Sequence, residues 1–459
     1  MKKVILLLAA FIIPGIIAAQ KTIVSGTVSD GRGQVIRLMA YDDFVSKKII
    51  TLGECLVSEE EEFSIDFELK DTIGAFLDIN FQRAELFLEP GKTYMLDITY
   101  DAANRLESYF DRQGLEYSLK DENPNELNQR IWRFNEMYNK FVMENFEHIV
   151  KLHDKGRVSD FQDEVEREFN EIDHPYLRNY IAYKFAEIYQ FARLQGRKTL
   201  AEEYFTGKPV LYNNVEYTFF FEEFFEKYLT TNPDVITISD LIIAVNEEGS
   251  LSMIDEALAQ IPYLQDEGFR ELVLIHGLKG LYFNGTYKKQ NVLELIKEIH
   301  RSTSDPMHKK ITANLIESLG RLAPGSPAPD LLLTGIGGQE LHLGNLRGKP
   351  ILLNFFYSTR KDTQNNFEIL AELYNYYRSG LEIISISMDD DPEAYKALAN
   401  SGGYHWTFAH YGNDPAVLDA YDIRNLPLYV LIDAEGHIAM YPAPPPGPEL
   451  ETAIMKVVH

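Results

Sequence analysis

Cysteine is nearly absent from this sequence of 459 residues, which contains Cys55 and no other cysteine. A single thiol excludes an intramolecular disulfide and any reaction that needs two thiols in one chain. Cys55 lies in a strand-like segment and has no basic neighbour in the sequence that would stabilise a thiolate. We expect a small, buried side chain at this position, and a reactive or intermolecular thiol is the alternative.

Positive charge is also scarce. The chain has 44 lysines and arginines against 70 aspartates and glutamates, which gives a net charge of −26. Such an acidic surface repels phosphate backbones and anionic membrane faces. We therefore expect no nucleic-acid partner, and we expect the charge to keep the protein soluble.

Long apolar runs are missing except near the first residue. There, two lysines precede an apolar core, Pro14-Gly15 interrupts it, and Ala18-Ala19-Gln20 offers a cleavage site with small residues. This order is typical of a secretory signal peptide, so we predict that residues 1–19 are removed and that the mature protein is exported, soluble and periplasmic. The alternative is an uncleaved anchor, although the apolar stretch is shorter than the roughly 20 residues that span a bilayer. After cleavage we expect no membrane span.

Residues 21–105 carry short strand patterns. From Phe63 to Leu69 apolar and polar side chains alternate, as in a strand with one buried face. Similar runs follow one another from residue 23 to residue 100, with glycine and proline turn residues between them. Such a series of about seven short strands predicts a β-sandwich over residues 21–105.

Residues 120–320 carry helical patterns. Ile131, Phe134 and Tyr138 recur at spacings of three and four and therefore share one helix face. This and similar stripes predict an all-α domain over residues 120–320. We interpret the aromatic stripes as packing surfaces, with an interaction groove as the second interpretation. The histidines here lack the spacing of metal ligands, so we expect no metal site.

A segment with three prolines and a glycine, Ala323–Pro329, marks the next domain boundary. Beyond it, Ile351–Phe355 and Leu381–Ser387 have the continuous apolar character of strands buried on both faces, and each precedes a helical pattern. Strands that alternate with helices predict a mixed α/β sheet over residues 323–459.

This last region contains three segments in a familiar order: Pro327–Asp330, Gly348–Phe355 and Asn425–Asp433. They resemble the TlpA-like and peroxiredoxin-like (AhpC/TSA) families of thioredoxin-fold proteins. Residues 87–94 also resemble the β-domain that precedes such modules in exported TlpA-like proteins. The resemblance implies a thioredoxin fold for residues 323–459 and a cis peptide bond before Pro427, where the preceding residue presents backbone groups to an extended peptide.

Members of these families carry Cys-x-x-Cys at the start of the helix that follows the Gly348–Phe355 strand. Counted from that strand, the two positions are occupied here by Arg360 and Thr363. A guanidinium and a hydroxyl group cannot replace a nucleophilic and a resolving thiol, and a peroxidatic cysteine is absent as well. We therefore expect a redox-inactive pseudoenzyme with no catalytic residues and no cofactor.

The substituted segment has two interpretations. Thr359 and Asp362 fit a capping box, which would make this an ordinary helix start. Arg360 and Lys361, beside free N–H groups of the helix, would instead form an anion site. We favour the first interpretation, because capping residues are common at helix starts.

Pro427 is retained either for the shape of the fold alone or as part of a groove that still binds peptide. In the second case the groove candidates are Leu426, Pro427, Arg360 and Lys361, since strand-like pairing through Leu426 needs no cysteine. The nearby run Asp389–Asp391 lacks the spaced carboxylates of a calcium loop, so we expect a solvated turn and a helix cap there.

Three functions are compatible with these features. The first is a redox-inactive periplasmic protein that binds a protein or an extended peptide, or acts as a scaffold. The second is a thiol–disulfide or peroxide-class enzyme that acts by unrecognised means, and Arg360 and Thr363 argue against it. The third is a structural subunit whose helical domain makes the important contacts.

Overall fold

The computed structural model describes most of the chain. The predicted signal peptide lies outside the described residues except for its last residue. The described ranges are 19–80, 82–101, 114–120, 123–170, 173–232, 235–389, 392–412, 414–423 and 425–458.

The first part of the chain forms two four-stranded sheets that share one hydrophobic core. Their orders are β4-β1-β7-β8 and β3-β2-β5-β6. The strands are β1 Gln20–Ser29, β2 Val35–Tyr41, β3 Ile49–Leu56, β4 Glu62–Leu69, β5 Ile73–Ile79, β6 Gln82–Leu88, β7 Thr93–Thr99 and β8 Glu116–Leu119. The predicted alternation holds in β4, where every second side chain is buried.

Strand β8 lies beyond residue 105, so the predicted end of the sandwich is too early. β8 pairs antiparallel with β7, from Glu116 opposite Thr99 to Leu119 opposite Leu96. The strand has four residues, of which only Leu119 is buried. A pattern this short has too few alternations to be recognised in a sequence.

Helices occupy the chain from residue 127 to residue 321 and share one large apolar core. The first six are α1 Leu127–Phe146, α2 Lys155–Phe169, α3 Pro175–Phe191, α4 Arg197–Tyr204, α5 Val215–Phe224 and α6 Tyr228–Thr231. The next five are α7 Ile238–Ile242, α8 Leu251–Leu258, α9 Glu267–Tyr282, α10 Lys289–Ser302 and α11 Pro306–Arg321. Short π and 3-10 turns lie at Glu147–Lys151, Ile243–Glu247 and Pro262–Leu264. Ile131, Phe134 and Tyr138 are buried, as their spacing predicts.

The loop between β2 and β3 joins the sandwich to the helices. Phe44 and Val45 of this loop belong to the helical core rather than to the sandwich core. On α11, Asn314 Nδ2 donates to the carboxylates of Asp42 and Asp43 at 2.7 and 2.9 Å. Lys310 Nζ lies 2.7 Å from Asp42 Oδ1. The loop is therefore fixed to the helices by both apolar and charged contacts.

The last part of the chain is a seven-stranded mixed sheet of order β10-β9-β13-β12-β11-β14-β15, with helices on it. Its strands are β9 Leu332–Gly335, β10 Glu340–His342, β11 Ile351–Phe356, β12 Glu382–Ser387, β13 Thr407–His410, β14 Leu428–Ile432 and β15 Ile438–Ala443. Its helices are α12 Lys361–Tyr377, α13 Pro392–Ser401, α14 Pro415–Ala420 and α15 Pro448–Val458, with a 3-10 turn at Leu343–Asn345. β11, β12 and β13 run parallel, whereas β14 and β15 are antiparallel to their neighbours. This is the predicted α/β architecture.

The Pro-rich segment 323–329 is held against the sheet. Gly325 N donates to Ile438 O at 2.7 Å, and Ile438 N donates to Ser326 O at 2.8 Å. Ala328 N donates to Gly436 O at 2.9 Å. Farther along β15, Lys289 Nζ of α10 donates to Tyr441 O at 3.2 Å. The segment that we predict to be a linker thus lies along the outer side of β15.

The C-terminal core begins before the predicted boundary at Ala323. Leu322, at the end of α11, is 4% exposed and packs with the sheet residues rather than with the helical core. Among the described residues, no helix is long and apolar enough to cross a membrane.

The position of Leu322 leads to a test. Leu322→Ala is expected to lower the free energy of unfolding of the C-terminal part by about 2–4 kcal/mol, because it leaves a cavity in the core. Trp406, which is buried in this part, reports its unfolding by fluorescence in a Trp132→Phe background. The control Leu332→Ala removes a side chain that is 53% exposed and should cost less than about 0.5 kcal/mol. Equal losses for the two variants would contradict the assignment of Leu322 to the core.

Candidate functional site

The candidate site lies where β11 ends and α12 begins. All six residues of β11 are buried, so the strand is fixed by packing on both faces. Its register with β14 places Phe355 opposite Leu428. The residues just before β14, Leu426 and Pro427, therefore lie beside the loop 357–360. The Leu426–Pro427 peptide bond is cis, as the resemblance implies.

The start of α12 differs from the predicted capping box. Thr359 does not cap the helix; the N-cap residue is Arg360, which has extended backbone angles and makes no capping hydrogen bond through its side chain. Instead, Thr363 Oγ1 donates to Tyr357 O at 2.7 Å. The helix begins one residue later than a Thr359 cap requires, because the Thr363 hydroxyl ties its first turn back to the loop.

The charged residues at this helix start pair with each other. Arg360 Nε donates to Asp362 Oδ1 at 3.1 Å, and this hydrogen bond holds the pKa of the Asp362 carboxyl below its usual value. Burial, together with the nearby Asp362 charge, raises the pKa of Tyr429 on β14. The anion-site interpretation relies on two cations, Arg360 and Lys361. The charge of Arg360 is already balanced by Asp362, whereas Lys361 is exposed.

The side chains of Arg360 and Thr363, at the two positions where a Cys-x-x-Cys pair is expected, offer little chemistry. Thr363 is 4% exposed and its hydroxyl proton is engaged by Tyr357 O, so it is not a free nucleophile. Arg360 is a permanent cation at the helix end. The only cysteine of the sequence, Cys55, lies on β3 in the sandwich and is half-buried, not fully buried as expected, and this partial burial raises the pKa of its thiol.

A buried carboxylate fixes the loop that precedes α12. Asp389, which follows β12, is 5% exposed, so the expectation of a solvated turn is wrong for this residue. It accepts hydrogen bonds from Ser358 N at 3.1 and 3.2 Å, from Ser358 Oγ at 2.9 Å and from Ser387 Oγ at 2.7 Å. Asp390 and Asp391 of the same run lie outside the described residues. Burial of the carboxylate is tolerated because these donors replace its water.

A histidine continues this network to the next strand. The ring of His410, at the end of β13, accepts from Gly412 N through Nδ1 at 3.0 Å. Nε2 therefore carries the proton, and it donates to Asp389 O at 2.5 Å. Ser358, Asp389 and His410 follow or end three parallel neighbouring strands at one edge of the sheet. None of the three is among the residues predicted for the site, although polar residues after successive buried strands are a sequence signal for such a cluster.

Leu426 is the groove candidate through which a strand-like segment would pair. The residue as a whole is 8% exposed, and its side chain packs in the core. Within the ranges that the structure covers, neither its N–H nor its C=O makes a hydrogen bond. A strand-like segment could pair there in the manner of an added β-strand. In those same ranges no group of three or more histidine, cysteine or acidic residues is arranged to hold a metal.

Comparison with known proteins agrees with the fold. A protein-family model described as thioredoxin-like matches residues 348–438. The thiol-disulfide oxidoreductase ResA of Bacillus subtilis is 30% identical over 118 residues, which cover 26% of this chain and 65% of the relative. The ResA protein of Geobacillus kaustophilus is 31% identical over 129 residues, covering 28% of this chain and 74% of the relative. The chain thus spans just under two thirds of the Bacillus protein.

A solved structure is similar as well. The thioredoxin domain of a thiol-disulfide oxidoreductase from Bacteroides vulgatus has 26% sequence identity and a TM-score of 0.28, covering 30% of this chain and 99% of that domain. The C-terminal part of the chain is a thioredoxin-fold module of the TlpA-like type. The chain belongs to the thioredoxin-like family that includes the ResA proteins.

The Asp389 network can be tested by an isosteric change. Asp389→Asn is expected to lower the free energy of unfolding of this module by about 2–4 kcal/mol, because an amide replaces one acceptor oxygen by a donor among buried N–H and O–H donors. Denaturation followed through Trp406 measures this effect. Asp173→Asn is the matched control, since the Asp173 side chain is 91% exposed. A loss for Asp389→Asn no larger than for the control would contradict a structural role of the buried carboxylate.

Proposed function

We propose that this chain is an exported, redox-inactive member of the family that binds an extended peptide or protein segment beside Pro427. The observation that carries the proposal is the occupation of the two expected thiol positions by Arg360 and Thr363. Thiol–disulfide exchange needs an attacking thiolate and a second thiol that resolves the mixed disulfide. Neither group is present at the start of α12.

Cys55 does not compensate for this loss. It lies on β3 in the sandwich, away from α12 in the fold, and its raised thiol pKa lowers the thiolate fraction at neutral pH. A lone thiol also has no partner that could release a mixed disulfide within the chain. The oxidoreductase activity for which the relatives are named is therefore retained in this proposal only as the alternative function, a thiol–disulfide or peroxide-class enzyme acting by unrecognised means.

The binding part of the proposal rests on the backbone N–H and C=O of Leu426, which have no hydrogen-bond partner among the described residues. An extended segment that pairs with this residue would pass the start of α12, where Lys361 is exposed. The buried Asp389 keeps the loop 357–360 in position without any contribution from a disulfide. The surface beside Pro427 is thus preformed, which lowers the entropic cost of binding.

The redox part of the proposal predicts no acceleration of insulin reduction by the purified protein. The rate of insulin precipitation should equal that of dithiothreitol alone, because no thiol pair is available. Acceleration that persists in a Cys55→Ser variant would support the alternative enzyme instead.

Introducing two cysteines at positions 360 and 363 tests whether the Cys-x-x-Cys motif of the family corresponds to these residues. In a Cys55→Ser background, Arg360→Cys and Thr363→Cys should form an intramolecular disulfide when oxidised glutathione accepts the two electrons and is reduced to glutathione. The N-cap position has extended backbone angles, with φ −73° and ψ 138°, and Thr363 N donates to Arg360 O across one turn. The control pair Asn365→Cys and Glu368→Cys has the same spacing but lies wholly inside the helix, and it should stay reduced. Thiol titration that finds equal behaviour of the two pairs would contradict the placement.

The binding part is tested by photo-crosslinking. A photo-reactive amino acid in place of Lys361 should form an adduct with the reduced, carboxymethylated insulin B chain, an extended peptide without free thiols. The same amino acid in place of Asp173, an exposed residue of the helical part, is the control. Mass spectrometry should detect adducts from position 361 alone. Equal labelling at both positions, or none, would contradict a peptide site beside α12.

A further inference from the structure

A cavity in the helical part contains polar groups that have no partner. It lies between the end of α3, the start of α4 and the end of α5, and its volume of about 360 Å³ is in the range of small-molecule sites. The residues that line it are Gln190, Arg193, Gln195, Arg197, Leu200 and Phe224.

Two arginines at this cavity have no carboxylate partner. Among the residues that the structure describes, the Arg193 guanidinium makes neither an ion pair nor a hydrogen bond. Arg197 donates to Phe224 O and lies over the rings of Phe224 and Tyr228, with Cζ 4.5 and 4.7 Å from the ring centres, but within those same residues it meets no acidic group. In a chain of net charge −26, these two cations form a local excess of positive charge.

Two glutamine side-chain oxygens at the same cavity also lack a hydrogen-bond partner. Oε1 of Gln190 and Oε1 of Gln195 are both buried without a hydrogen-bond partner. Each such oxygen costs about 1–3 kcal/mol unless a donor reaches it. If an amide group rotates so that its oxygen faces the cavity, a ligand with a hydroxyl or amino donor would remove this cost.

The backbone at the cavity adds to its positive potential. Arg193 has a φ of 55°, which turns the chain sharply between α3 and α4. α4 then starts at Gly196, which offers no capping side chain. The first N–H groups of this helix favour a negative charge beside the arginines. Leu200 and Phe224, which are each 2% exposed, form the apolar wall of the cavity.

We propose that this cavity binds a small carboxylate that carries a hydroxyl or amino donor on the adjacent carbon. The carboxylate lies at Arg193 and Arg197, and the donor reaches a glutamine oxygen. This class of ligand supplies a negatively charged acceptor for the two exposed guanidinium groups and a donor for the amide oxygens. The inference is independent of the function proposed for the thioredoxin-like module.

Titration of the full-length mature protein with glycolate, acetate and inorganic phosphate, followed by NMR, tests the proposal. Glycolate should bind roughly tenfold more tightly than acetate, since only glycolate carries a donor for the buried amide oxygen. Equal affinity for glycolate and acetate, or tighter binding of phosphate, would overturn the assignment of a donor-bearing carboxylate.

Variants place the binding in this cavity. Arg193→Gln should weaken glycolate binding about tenfold or more, because it removes a charge-assisted hydrogen bond. Arg178→Gln is the control, since Arg178 is exposed and pairs with Asp173 at 3.1 Å. Gln195→Leu should abolish the difference between glycolate and acetate without loss of folding, because it removes an unsatisfied amide. Unchanged glycolate binding in Arg193→Gln would overturn the proposal.

Discussion

The insertion of Phe44 and Val45 into the helical core is the contact on which the arrangement of this chain depends. These two residues leave the sandwich and bury their side chains among the helices. Burial of each apolar side chain stabilises the junction by about 1.5–3 kcal/mol. The carboxylates of Asp42 and Asp43 accept hydrogen bonds from Asn314 on α11, and Leu322, the residue after α11, packs in the core of the C-terminal sheet. One helix therefore connects the loop of the sandwich to the thioredoxin-like sheet.

Residues other than cysteine hold the framework around the start of α12. The loop before α12 is held by Asp389 and the first turn by Thr363, and both attachments are hydrogen bonds to neighbouring backbone or hydroxyl groups. In this chain the end of the sheet is therefore organised independently of cysteine chemistry.

The sequence was sufficient for elements with a long, regular pattern. The alternation in β4, the stripe from Ile131 to Tyr138 and the buried run of β11 each reflect one dominant force, the burial of a continuous apolar face. Short elements such as β8 and β10 carry too few residues for a period to emerge.

The polar details of the site were not predictable from local sequence. Asp389 and Ser358 are 31 residues apart, and their contact depends on the parallel pairing of β11 with β12. Thr359 does not cap α12; instead the Thr363 hydroxyl donates a hydrogen bond to Tyr357 O. Several hydrogen bonds are acceptable locally, and the tertiary geometry decides which of them forms.

The attachment of segment 323–329 to β15 has a consequence for the behaviour of this protein at high concentration. β15 is the last strand of the sheet, and such a strand exposes N–H and C=O groups that can recruit another chain into an aggregate. Here the Pro-rich segment occupies both backbone groups of Ile438, Lys289 occupies the carbonyl of Tyr441, and Pro442 has no N–H to offer. The segment that separates the helices from the sheet thus also shields the sheet edge from intermolecular β-pairing.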